Sequence, residues 1–169
     1  DSNAVVINNY DTVSAVITQT NIFCGATSTG IISVNPTSGV APFLFSLDSG
    51  NFVSNNTFSG LIAGAYTILV KDSNECNVAS YSINITENPL LSAISTAVNN
   101  RCFGGKSGTI NLSPFGGVVP YLYLWSNGKT TEDLSNLIAG TYTCTVTDIN
   151  GCTKILSQSI TQGAQITMT

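Results

Sequence analysis

The stretch LIAGAYTILVKDSNEC, Leu61 to Cys76, returns as LIAGTYTCTVTDINGC, Leu137 to Cys152, and the correspondence runs well beyond these segments. At an offset of 78, Cys24 falls on Cys102, Gly30 on Gly108, Pro36 on Pro114, Gly39 on Gly117, Pro42 on Pro120 and Gly50 on Gly128. After a two-residue difference in the next loop the offset becomes 76, and Tyr66, Val70, Asp72, Asn74 and Cys76 fall on Tyr142, Val146, Asp148, Asn150 and Cys152. Glycine, proline and cysteine stand where backbone geometry or covalent chemistry tolerates little else. A register kept at so many of them marks tandem copies of one unit. The chain therefore reads as two small domains, over 13–88 and 89–162.

The edges carry the same pattern. VSAVITQTNIFC (13–24) aligns with LSAISTAVNNRC (91–102), which places a first strand before the first cysteine of each unit. Residues 1–12, with AVVINNY, then resemble the end of a preceding unit or a terminal strand, and 163–169 the start of a following one. On this reading the chain is a two-unit segment of a longer array.

Apolar residues alternate with period two, Gly, Pro, Asn and Asp clusters interrupt them every eight to twelve residues or so, and helical periodicity is absent. The pattern predicts strands over 13–19, 29–35, 42–47, 56–60, 65–71 and 79–86, and again over 91–97, 107–113, 120–126, 131–136, 141–147 and 154–161. Six or seven short strands in about 75 residues suit an antiparallel immunoglobulin-like β-sandwich. The fold expected is all-β, two such sandwiches in tandem. Tyr66 and Tyr142, in the phrase AGxY at the start of the penultimate strand, are candidates for a tyrosine corner, a buried ring whose hydroxyl returns to nearby backbone.

Five cysteines must be sorted. Because Cys24 and Cys76 hold the places in their unit that Cys102 and Cys152 hold in theirs, the simplest pairing is Cys24 with Cys76 and Cys102 with Cys152. Cys144 shares a strand face with Tyr142 and Val146 where the other unit has Ile68, so it is expected as a buried free thiol. Five reduced core cysteines are the alternative. Zinc is disfavoured, since there is no His and no C-x-x-C pair.

Only 8% of residues are charged, the net charge is −4 and the basic residues number five, too few for the footprint that nucleic acid or an anionic membrane surface requires. No apolar run approaches a membrane span. Neutral polar side chains with few charges suit a β-rich extracellular protein. No Ser-His-Asp or Cys-His pair can be assembled without His, and the carboxylates scatter over predicted turns, so no enzyme and no cofactor is expected. Asp72 and Asp148 could suggest calcium, but one carboxylate per loop falls far short of six to eight oxygen ligands, and a tight turn uses the same residues.

The sequence CFGGKSGTINLSPFGGVVPYLYLWSNGKTTEDLSNLIAGTYTCTVTDINGC resembles the SprB repeat, a module of very large surface adhesins and other secreted proteins of Bacteroidetes. Cys102, Gly104-Gly105, Gly108, Gly116-Gly117, Pro120-Tyr121, Trp125 to Gly128, L-x-A-G-x-Y and V-x-D-x-N-G-C carry the likeness. The first unit departs from it: FCGATSTG lacks the paired glycine, PFLFSLDSG replaces Tyr and Trp, and NEC replaces NGC. The resemblance implies a cell-surface, array-forming protein used in adhesion or gliding motility, without an active site. Asp11-Thr12-Val13 also resembles an O-glycosylation signal of that bacterial group, which makes Thr12 a candidate acceptor.

In PYLYLWSNG, Tyr121, Tyr123 and Trp125 alternate with Leu122 and Leu124. Inward aromatics, with Trp125 in the core, turn the leucines outward. Leu122 and Leu124, with Leu44 at the matching place in the first unit, are then a candidate contact surface for neighbouring repeats or copies of the same protein, unless a loop or the adjoining unit covers them. The function expected is a structural or adhesive module of an extracellular fibre. Alternatives are a subunit polymerising by donation of AVVINNY or AQITMT to a neighbour's sheet edge, and an accessory module binding surface polysaccharide through an exposed aromatic platform.

Overall fold

A computed structural model describes residues 12–74 and 78–167, which form strands and turns without a helix. Cys76, AVVINNY and the last two residues of AQITMT lie outside the described residues. The structure divides into two compact units, one running up to Ile22 and resuming over Thr27–Glu87, the other formed by Asn88 onward together with the tetrapeptide Phe23–Ala26.

The first unit has six strands: β1 (Ser14–Thr20), β2 (Gly30–Ser38), β3 (Leu44–Leu47), β4 (Thr57–Leu61), β5 (Gly64–Lys71) and β6 (Val78–Ile85). They make two antiparallel sheets, ordered β1-β2-β4 and β3-β5-β6. Alternation decides which side chains meet between them. Ile32 and Val34 of β2 face Ile68 and Val70 of β5, all four fully buried, and Val13, Ile22, Phe45 and Ile85 complete the core. The Tyr81 hydroxyl of β6 accepts from the Ala15 amide of β1 at 2.7 Å and so ties the two sheets along one edge.

The second unit repeats the plan with β7 (Ser92–Val98), β8 (Gly108–Phe115), β9 (Leu122–Trp125), β10 (Leu134–Leu137), β11 (Gly140–Thr147) and β12 (Thr153–Ile160), in sheets β7-β8-β10 and β9-β11-β12. Its core holds Leu91, Ile110, Leu112, Trp125, Leu134, Leu137, Cys144, Val146 and Ile160. Each unit is an immunoglobulin-like sandwich in which the strands conventionally lettered A, B and E form one sheet and C, F and G the other.

One exchange of volume separates the two cores. In the first unit Leu47 stands across from Ile68, and in the second Trp125 stands across from Cys144. The large indole is accommodated by shrinking its partner, as packing at near-crystalline density demands. Cys144 is thus a free, fully buried thiol whose burial pushes its pKa up, away from the reactive thiolate.

Candidate functional site

The residues shared by both repeats converge on the turn after the penultimate strand. In the second unit Asp148 is buried, and its carboxylate is spent on backbone amides: Oδ1 accepts from Asn150 and Cys152 at 2.9 Å, and Oδ2 accepts from Val118 at 3.0 Å. The Gly151 amide donates to the Asp148 carbonyl, and Gly151 has φ of 83°, which explains the glycine of the NGC phrase. Asp72 does the same in the first unit, accepting from Asn74 and Val40 at 3.0 Å each.

Gly39 and Gly117 sit beneath these carboxylates at positive φ, 109° and 58°. A Cβ on Gly117 would stand 2.9 Å from Asp148 Oδ2, and one on Gly39 would stand 3.3 Å from Asp72 Oδ2. The aspartates therefore fasten one loop to another. Asp148→Ala leaves three backbone amide donors without their carboxylate, that of buried Cys152 among them, and is expected to cost the second unit about 2–3 kcal/mol, less than the sum of separate charged hydrogen bonds because the donors share one turn. Asp148→Asn should recover part of the loss. Urea unfolding of the whole chain reads it, and an unchanged midpoint for the alanine variant would contradict the assignment.

This turn presents Cys152, which is bonded to Cys24 at a Cα–Cα distance of 5.5 Å. The expected pairs Cys24–Cys76 and Cys102–Cys152 are overturned: Cys24 is committed to Cys152, and Cys102 is an exposed free thiol. Topology supplies the reason. The Asn100 amide donates to the Thr161 carbonyl, so the loop of Cys102 lies at the end of β12, while Cys152 lies just before its start. An eight-residue strand spans roughly 26 Å, and cysteines so placed cannot meet the 7 Å or so that a disulfide tolerates.

Cys24 reaches Cys152 because its tetrapeptide packs on the second unit. The Asn88 side chain donates to the Phe23 carbonyl at 3.1 Å. Gly25 is buried, and a Cβ there would stand 2.5 Å from the Asn88 carbonyl oxygen.

The tyrosines have their hydroxyls directed to backbone four residues upstream, Tyr66 to Ile62 at 2.9 Å and Tyr142 to Ile138 at 3.1 Å. Trp125 is buried and donates from Nε1 to the Thr131 carbonyl at 2.9 Å. Tyr121 is half-buried and donates to the Gly116 carbonyl. Tyr123 is half-buried too, its phenol pushed up to about 12 by burial and the adjacent Glu132 carboxylate. None of the three side chains is fully exposed, and Trp125 is closed off in the core. Leu122 and Leu124 are 68% and 59% exposed, whereas Leu44 is half-buried. Ser46, at the place of Leu124, is buried under the loop whose Gly50 carbonyl accepts its hydroxyl proton at 2.7 Å. Thr12 is exposed, and Asp11 before it lies outside the described residues.

Sequence reasoning missed Asn100, which is buried, donates to the Leu137 carbonyl at 2.9 Å and accepts from the Ser107 amide at 2.6 Å. Ile22 is its counterpart, so no shared residue type signalled it. Among the described residues no group of three or more His, Cys, Asp or Glu is placed to hold a metal ion.

Comparison with known proteins adds the family. No curated protein matches the sequence. Among solved structures the chain is similar to the N-terminal eight Ig domains of Down Syndrome Cell Adhesion Molecule isoform 1.30.30, at 16% identity and a TM-score of 0.53, over 90% of this chain and 24% of that one. It is also similar to the I-band fragment I67-I69 from titin, at 16% identity and a TM-score of 0.48, over 91% of this chain and 66% of that one. A C-terminal fragment of intimin, solved with the intimin-binding domain of its translocated receptor, matches at 13% identity and a TM-score of 0.48, over 88% of this chain and 64% of that one. This chain thus spans less than two thirds of the length of each of these structures. The SprB repeat model matches twice, over residues 16–52 and 94–130, each running from within the first strand of a sandwich to just past its third. Two stretches of the chain accordingly match the SprB repeat, each in the opening part of an immunoglobulin-like sandwich.

Proposed function

We propose that this chain is a segment of a secreted surface array in which SprB repeats are covalently connected spacers of a fibre used in adhesion or gliding motility. The observation that supports this best is the Cys24–Cys152 bond, which joins the first cysteine of one repeat to the last cysteine of the next. A structural disulfide belongs in an oxidising compartment, consistent with an extracellular or surface location. The matched cell adhesion molecule also strings immunoglobulin domains along one chain. Among the described residues no helix is long and apolar enough to cross a membrane. The partners on this reading are neighbouring SprB repeats, and any adhesive ligand is bound elsewhere on the parent protein.

A second reading rests on one face of the second unit. Leu124 of β9, Thr145 of β11 and Ile155 of β12 lie side by side in register, and both apolar members are about 60% exposed. Such a face suits contact with another copy of the chain.

Sedimentation velocity over a concentration series, with and without reductant, separates the two. The spacer reading expects a monomer at every concentration. An oligomer or filament that survives reductant and disappears in the Leu122→Ser, Leu124→Ser double variant would replace it with self-assembly through the β9 face.

A further inference from the structure

The geometry points to Cys102 as half of a second inter-repeat disulfide, whose other half is the last cysteine of whatever SprB repeat follows in the array. The inference deepens the spacer reading and rests on it. Its ground is that Cys24, which holds the place of Cys102 one repeat earlier, makes this bond in the structure.

The two cysteine loops share their construction. Cys24 and Cys102 each occupy the second residue of the same four-residue bend and turn after the first strand. Two residues on, Ala26 and Gly104 both have left-handed backbone, with φ of 60° and 68°. Ile22 donates its amide to the Thr86 carbonyl, and Asn100, its counterpart, donates to that of Thr161, both at 2.9 Å. In each repeat the chain leaving the last strand therefore passes beside the cysteine loop.

Close approach is preserved by exchanging which side gives way. In the first repeat the bare residue is Gly25, pressed against Asn88; in the second, Phe103 replaces Gly25 and Gly163 replaces Asn88. A Cβ on Gly163 would stand 2.4 Å from the Arg101 carbonyl oxygen, and the Gly104 amide donates to Gln162 Oε1 at 2.9 Å. So the exit path past Cys102 is built as the path past Cys24 is. One difference remains between the two cysteines: Cys24 has its partner, and Cys102 is exposed and reduced beside Phe103, itself 53% exposed.

Bond formation takes two electrons and two protons from the two thiols. A disulfide oxidant receives them, and glutathione disulfide serves in the test, leaving as two molecules of glutathione. The thiolate of one cysteine attacks the oxidant, and the second thiolate displaces it from the mixed disulfide.

The test extends the full chain in register: residues 1–163 run directly into a further copy of 89–167. After equilibration in a glutathione couple and alkylation, a non-reducing peptide map assigns every cysteine. Expected are the Cys24–Cys152 bond, a bond from Cys102 to the appended copy's counterpart of Cys152, and loss of the Cys102 alkylation seen in the unextended chain. Replacing that counterpart by Ser should restore alkylation of Cys102. Cys102 that stays alkylatable in the extended protein, or bonds elsewhere, overturns the inference, as does failure of the Cys24–Cys152 bond itself. Sedimentation of the same sample keeps the two readings apart. A monomer with free Cys102 sinks the second staple alone, whereas a correct staple in a self-associating chain sinks the spacer reading alone.

Discussion

The Cys24→Ser, Cys152→Ser double variant is expected to lose about 4–5 kcal/mol of stability relative to the native chain. The bond closes a loop with a sequence separation of 128, for which the chain-entropy estimate is about 5 kcal/mol in a fully unfolded chain. Where the first unit stays folded as the second unfolds, the effective loop is shorter and the gain falls toward about 4 kcal/mol. Urea unfolding monitored by circular dichroism checks this, with the native chain run with and without reductant. A double variant as stable as the oxidised chain would mean that packing of Phe23–Ala26 on the second unit, not the covalent bond, does the holding.

Trp125→Ala should destabilise the second unit by about 3–5 kcal/mol, the cost of deleting a large core aromatic that its surroundings cannot collapse around. Its ring is only 2% exposed, its neighbour across the ladder is the small Cys144, and its Nε1–H satisfies the Thr131 carbonyl. Truncation leaves both a void and an unmatched acceptor. A partial rescue should come from Trp125→Leu combined with Cys144→Ile, which restores the pair found in the first unit. Urea unfolding followed by circular dichroism decides it, since the chain has one tryptophan and the variant loses that fluorescence signal. If Trp125→Ala unfolds at the native midpoint, the indole is not the centre of that core.

Much of the fold was legible because its causes are local. Period-two alternation put Cys144 and Val146 on one strand face, where both are fully buried, and the strands begin and end within three residues of where the pattern places them. The disulfide was not legible by the same route. Matching positions in a repeat invite pairing within the repeat, but pairing is set by which end of the sandwich each turn occupies. The strand order of an immunoglobulin-like fold already puts the turn after the first strand and the turn before the last at opposite ends of that last strand, and this topological step would have excluded Cys102–Cys152. The aspartates were legible as turn residues from their Asn and Gly neighbours. Their second bond, across to Val40 and Val118, depends on loop packing that no local pattern encodes. Ser46 and Leu124 hold equivalent positions, one buried and one exposed, because the loop after β3 folds over the strand in the first unit.

The same bond has a mechanical meaning. Tension applied to the two ends of the chain passes from Cys24 straight to Cys152, so the intervening residues, with five of the six strands of each sandwich, lie in a sheltered loop off the force path. Fully drawn out at roughly 3.3–3.6 Å per residue, that separation of 128 residues represents some 420–460 Å of slack that pulling cannot release while the sulfurs remain joined. A tether built this way would hold its length under shear even when its domains are only modestly stable, and would surrender that length only to a reductant.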